Sequence, residues 1–319
     1  MRYLISNANE FKNTYEKFEN NDIIEVKDGM NIDLGGEVFV INKSIYMLGK
    51  ILYNKISTTI SGPILVTDGA RLNIEDMIIN GNKNDLSTIA AEKNSCVKLT
   101  NVFIKKESRA KVSDEKEAQP EICITENSKL IFSHVTIPDT KDFESTIYIF
   151  GSTADLDYSY INSSIRAEQS VVKISNARLT KYFASPIHAV NSNFEIINTF
   201  SEGGSLNKTG NLPNAYFESS VLNASKSDFV MRNSENSLHL AKSSTANLEN
   251  CTASSITCDF STMRMNRVVI EESMNIKNKS FVVSSGPIDI LCKDQNKKHL
   301  TVEADSILNT ESINFNCFH

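Results

Sequence analysis

Short alternations of apolar and polar residues, broken by turn-like clusters, dominate the chain. ILV at residues 64 to 66 and ARLNIEDMII at residues 70 to 79 send side chains to two faces in turn, the pattern of half-buried β-strand, and TDG between them reads as a turn. A small residue, a polar or variable one, then Leu, Val or Phe recur as Ala70-Arg71-Leu72, Ser95-Cys96-Val97, Ser128-Lys129-Leu130, Ala154-Asp155-Leu156 and Ala177-Arg178-Leu179. Weaker echoes stand at Ser227-Asp228-Phe229 and Ala246-Asn247-Leu248. The first five begin 25, 33, 26 and 23 residues apart, in or near the range of solenoid repeats. Further alternating segments, such as Ile122-Cys123-Ile124 and Ile147-Tyr148-Ile149, lie upstream of the signatures. Each repeat therefore holds two or three short strands and no ordinary helix, which excludes leucine-rich and helical repeats. The pattern predicts an all-β coil of strands, stacked turn on turn through parallel ladders around a shared apolar column.

Two departures from the repeat carry information. Residues 8 to 19 read as the one short helix, with Phe11, Tyr15 and Phe18 on one face, and a solenoid needs such a cap over its first turn. The long interval contains KKESRAKVSDEKEAQPE, residues 105 to 121, a charged loop insertion without β periodicity. SGPI occurs at residues 61 to 64 and again at 285 to 288, each time placing Gly-Pro before an apolar strand. No comparable cap follows Leu300. The expectation is one β-helix domain over residues 1–319, with its last coil covered by a further domain or another subunit, as in the N-terminal module of a longer bacterial protein.

The succession EFKNTYEKFENNDIIEVKDG, then FVINKSIYMLGK, then ISGPILVTDGARLNIEDMIINGN resembles the opening coils of pectin-lyase-like right-handed parallel β-helix proteins. The likeness covers roughly residues 8 to 180 and is looser beyond. It implies the right-handed sense of the coil. In that superfamily, lyases hold calcium with clustered acidic residues and use Arg or Lys as base, while hydrolases group aspartates; neither set can be placed on this sequence, and enzymatic activity is put in doubt.

Charge narrows the partners. A net charge of −6 with no long Lys/Arg run lacks the electrostatic footprint of a nucleic-acid binder. No signal-peptide core opens the chain and no run of about 18 apolar residues occurs, so a cytoplasmic location without a membrane span is expected. The six cysteines form no CxxC pair and no zinc spacing, and most read as buried free thiols. The five histidines form no metal motif, and no phosphate-binding glycine loop or nucleophile elbow appears; neither metal nor cofactor is expected.

Candidate chemistry is sparse. Asp155 and Asp157 share a strand face with Leu156 pointing inward, and stacked repeats would set Lys129 and Arg178 on either side of Asp155. That column reads first as a structural charge ladder, and in an enzyme Asp155 and Asp157 would supply the carboxylates and Arg178 the base. For binding, Tyr158 and Tyr160 are read on one face, with Tyr182, Phe183, Tyr216 and Phe217 in later coils. The insertion adds Lys106, Arg109, Lys111, Asp114 and Glu115, whose mixed charge suits a protein partner. The leading expectation is a non-catalytic right-handed β-helix that recognises a protein partner or a polysaccharide; the alternative is a polysaccharide lyase or glycoside hydrolase.

Overall fold

The computed structural model describes residues 1–53, 55–81, 86–105, 120–138, 146–181, 185–203, 213–231, 237–292 and 298–317. Lys106, Arg109, Lys111, Asp114, Glu115, Tyr182 and Phe183 lie outside the described residues. The chain divides into two compact units, Met1–Asn162 and Ser163–His319.

In the first unit, strands Arg2–Ile5, Asp22–Val26, Ile45–Leu48, Arg71–Glu75, Cys96–Thr100, Lys129–Ser133 and Thr153–Asp157 form one ladder of successive parallel neighbours. A second ladder runs through Ile64–Val66, Ile89–Ala91, Ile122–Ile124 and Thr146–Phe150, also parallel. Alternate positions face inward, and Ile24, Met47, Ile74, Leu99, Phe132 and Leu156 stand in register as a fully buried apolar column. Parallel ladders joined by crossovers and filled by one shared core define a β-helix.

The second unit repeats the scheme. Strands Val171–Ser175, Asn193–Ile197, Val221–Ser225, Thr245–Glu249, Thr262–Asn266, Phe281–Ser284 and Ile307–Thr310 pair in parallel succession. Ile174, Ile196, Ala224, Leu248 and Met265 line its core in one column, all buried. Among the described residues the antiparallel pairing is confined to the hairpin Ile51–Leu52 with Lys55–Ile56.

The capping helix runs Ala8–Tyr15, shorter than its apolar spacing predicts. The Asn7 side chain accepts the Glu10 N–H at 2.9 Å and the Glu10 carboxylate accepts the Ser6 N–H at 2.8 Å, a reciprocal start of the capping-box kind. Past Tyr15 the backbone tightens, with Lys17 N–H bonding to Thr14 and Phe18 N–H to Tyr15, so Phe18 reaches the core from a turn and not from helix. Phe11 and Phe18 are both buried, and the Phe11 ring meets Phe39 at 5.1 Å.

Buried serines fix the register of the coils. In the first unit Ser95 N–H donates to Ser128 Oγ, and Ser128 N–H to Ser152 Oγ, each at 3.1 Å. In the second, the Oγ atoms of Ser192, Ser220, Ser244, Ser261, Ser280 and Ser306 each accept the N–H of the previous coil's ladder serine, at 3.0 to 3.2 Å. Before Ser95, Ser128, Ser192, Ser220 and Ser261 the chain passes through the left-handed region, at Asn94, Asn127, Asn191, Ser219 and Phe260. A left-handed residue turns the chain out of one strand, and the serine after it ties the corner to the next coil.

This ladder corrects the repeat alignment. The partner of Ser128 is Ser152 and not Ala154, so Lys129 lies beside Thr153 while Asp155 lies beside Ile131. Ala177-Arg178-Leu179 enters strand Arg178–Lys181, which lies in neither of those ladders but in a third, and pairs with Phe200–Gly203. The Lys129-Asp155-Arg178 column does not form.

Candidate functional site

Most residues singled out from sequence stand apart. Asp155 and Asp157 both face outward from strand Thr153–Asp157, with Leu156 buried between them. Arg178, in the second unit, is held by its own neighbours: its guanidinium approaches Glu202 at 3.6 Å and lies 5.1 Å from the centre of the Phe200 ring. Tyr158 is exposed at a left-handed corner and stacks on His134, ring centroids 5.2 Å apart and planes 5° from parallel. Tyr160 opens the next strand opposite Thr136, so the two tyrosines do not share a strand face; the corner between them resets the alternation. Phe217 is core, whereas Tyr216 faces outward. Among the described residues no group of three or more His, Cys, Asp and Glu is disposed to hold a metal ion, and no helix is long and apolar enough to cross a membrane.

The structure instead forms a groove within the second unit, of about 420 Å³, on the outer face of the ladder that begins at Val171–Ser175. Its floor is a column of outward positions in strict register: Glu195, Asn223, Asn247 and Arg264 on four successive strands. Each is the third residue after a ladder serine, Ser192, Ser220, Ser244 and Ser261. A second column, Ile197, Ser225, Glu249 and Asn266, forms one side. The buried residues that alternate with these, Ile196, Ala224, Leu248 and Met265, hold the strands down, so the polar heads are carried by rigid backbone.

Hydrogen bonds order the floor. Asn247 donates through Nδ2 to Asn223 Oδ1 at 2.7 Å, which fixes both amides and leaves each with further donor and acceptor capacity. At the column's outer end Lys173 lies 3.6 Å from Glu195. Sequence reading passed over these residues because each is unremarkable alone; only the serine register brings them into one line.

On the ladder of the same unit that runs through Ile187–Val190, Ala215–Glu218 and Leu238–Ala241, His188, Tyr216 and His239 occupy one column on neighbouring strands. Tyr216 meets His188 at 5.1 Å and His239 at 5.4 Å, both edge-on, and its hydroxyl donates to Glu218 at 2.9 Å. Burial and the Glu218 carboxylate push the Tyr216 phenol up to about 12. Burial, helped by Arg166 for His188 and by Lys277 for His239, holds both imidazoles below their ordinary value. Lys242 beside Glu218, at 2.6 Å, keeps that carboxyl low.

No protein-family model matches the sequence, and no curated protein matches it. Among solved structures the chain is similar to an alginate lyase from Paenibacillus sp. str. FPU-7, with 11% identity, a TM-score of 0.38, and 97% of this chain and 99% of that one covered. It is also similar to tailspike protein 3 of bacteriophage CBA120, with 9% identity and a TM-score of 0.49 over 96% of this chain; it spans 59% of that protein's length. Pectate lyase Pel9A aligns at 10% identity and a TM-score of 0.28, with 100% and 77% covered. The strand pairings within each unit carry the fold assignment: the chain has the all-β parallel β-helix fold that its resemblance to the pectin-lyase-like superfamily implies.

Proposed function

We propose that the protein is a non-catalytic glycan-recognition module, a β-helix scaffold that holds a linear polysaccharide along the groove of its second unit. The carrying observation is the column Glu195, Asn223, Asn247 and Arg264, which offers a hydrogen-bonding side chain once per coil. Successive strands lie ~4.8 Å apart, so the groove presents a periodic row of donors and acceptors to a chain molecule laid across the strands. Sugar hydroxyls both donate and accept, and side-chain amides match them in kind. Ile197 adds an apolar contact on one wall.

Of the groove's carboxylates, Glu195 is engaged by Lys173 at 3.6 Å, and Glu249 lies two strands away and two positions out of register.

Affinity electrophoresis in gels containing soluble polysaccharides, run with assays for new reducing ends and unsaturated products, tests this reading. The wild type is retarded and releases no product. Asn223→Ala with Asn247→Ala removes two hydrogen-bonding positions of about 0.5–1.5 kcal/mol each, weakening retention roughly tenfold. Turnover, or retention indifferent to both substitutions, contradicts it.

A further inference from the structure

We infer that the groove selects an uncharged glycan strand and rejects polyuronates; the inference rests on the glycan-recognition reading and names its substrate class. The groove is lined by Glu195, Glu249 and Arg264, and Lys173 at the column's end balances Glu195, so no excess of positive charge faces a ligand. Among the described residues neither Glu249 nor Arg264 has an ion-pair partner, and the two stand on adjacent strands as diagonal neighbours, Arg264 beside Asn247 and Glu249 beside Asn266.

A polyuronate carries one carboxylate on each sugar. Laid across the coils, it would meet the mutually neutralised Lys173–Glu195 pair, then the amides of Asn223 and Asn247 with the unpaired Glu249 beside them, and one attractive guanidinium at Arg264. On the next strand the column continues as Val283, which offers no charge. Like charges brought face to face penalise the wrong ligand, and a polyanion gains affinity only from repeated cations. An uncharged strand meets no such penalty. Its hydroxyl or acetamido groups take hydrogen bonds from the amides and from Arg264, while Glu249 accepts from hydroxyls.

Isothermal titration calorimetry with the full chain separates the cases. The uncharged probes are cellohexaose, laminarihexaose and the hexamer of N-acetylglucosamine; the acidic probes are oligomers of alginate and polygalacturonate. The wild type binds at least one uncharged probe, with a Kd that moves by no more than about twofold between roughly 0.05 and 0.5 M salt. Acidic probes bind at least about tenfold more weakly, and Glu195→Gln with Glu249→Gln narrows that gap. Tighter binding of an acidic probe, falling steeply with salt and lost in Arg264→Gln, overturns the inference and leaves glycan recognition standing. Failure of every probe of both classes removes glycan recognition itself and the inference with it.

Discussion

At Ser192, Ser220, Ser244, Ser261 and Ser280 one hydroxyl serves two backbone groups. Ser220 Oγ accepts the buried N–H of Ser192 at 3.0 Å and donates to the Glu218 carbonyl at 2.7 Å, closing a corner and joining two coils. Ser220→Ala keeps the volume nearly unchanged but strands the Ser192 N–H, which costs about 1–3 kcal/mol. Urea unfolding should show the lower midpoint with an unchanged slope. The small residue of the repeat signature was legible in the sequence; its register was not. A shift of two residues preserves the inward and outward faces of a strand, so Ser128 aligns as well with Ala154 as with Ser152 on apolar pattern alone. The hydroxyl decides between them, and an alanine in the signature hides that vote.

At the level of strands and columns, Arg178 shows what alternation cannot report. The three ladders of this β-helix read as the same apolar period, and nothing in Ala177-Arg178-Leu179 says which ladder it enters. The short helix was legible because an amphipathic period stands out among strands; its early end was not, since Phe18 keeps the helical spacing while reaching the core from a turn. The His188–Tyr216–His239 column yields a pH prediction that needs only its geometry and neighbours. Facing it are Arg166 and Glu168 on its own ladder, Glu218 with Lys242, and Asp259 with Lys277, the last pair 3.3 Å apart. Both imidazoles lie below the ordinary value of 6.5 in the folded chain, so their contribution to stability is present above that value and is lost as pH falls through the depressed ones. Unfolding midpoints should therefore drop as the solution is acidified below neutrality, and should drop less in His188→Gln with His239→Gln. Tyr216 acts at the other end of the scale. Its raised phenol contributes stability below 10.0 that disappears as pH rises through about 12. Ultraviolet titration of the phenolates should show a component ionising at about 12 that Tyr216→Phe removes.

At the scale of the whole molecule, composition set expectations and identified little. A net charge of −6 argues against a nucleic-acid partner, and the groove carries acidic, basic and amide groups together. The β-helix was legible because its repeats are periodic in apolar residues. The groove was not, because Glu195, Asn223, Asn247 and Arg264 are separated by 28, 24 and 17 residues, and uneven spacing conceals a column that is regular in space. The central claim is that this column holds an uncharged glycan. Its most direct test follows the side-chain amide resonances of Asn223, Asn247 and Asn266 by nuclear magnetic resonance while an uncharged oligosaccharide that the protein retains is added. The account predicts that these amides shift together along one saturating curve, with Asn314, whose amide is bonded to Asp289 on a different ladder, unmoved. Saturable binding that leaves the groove amides in place would contradict it.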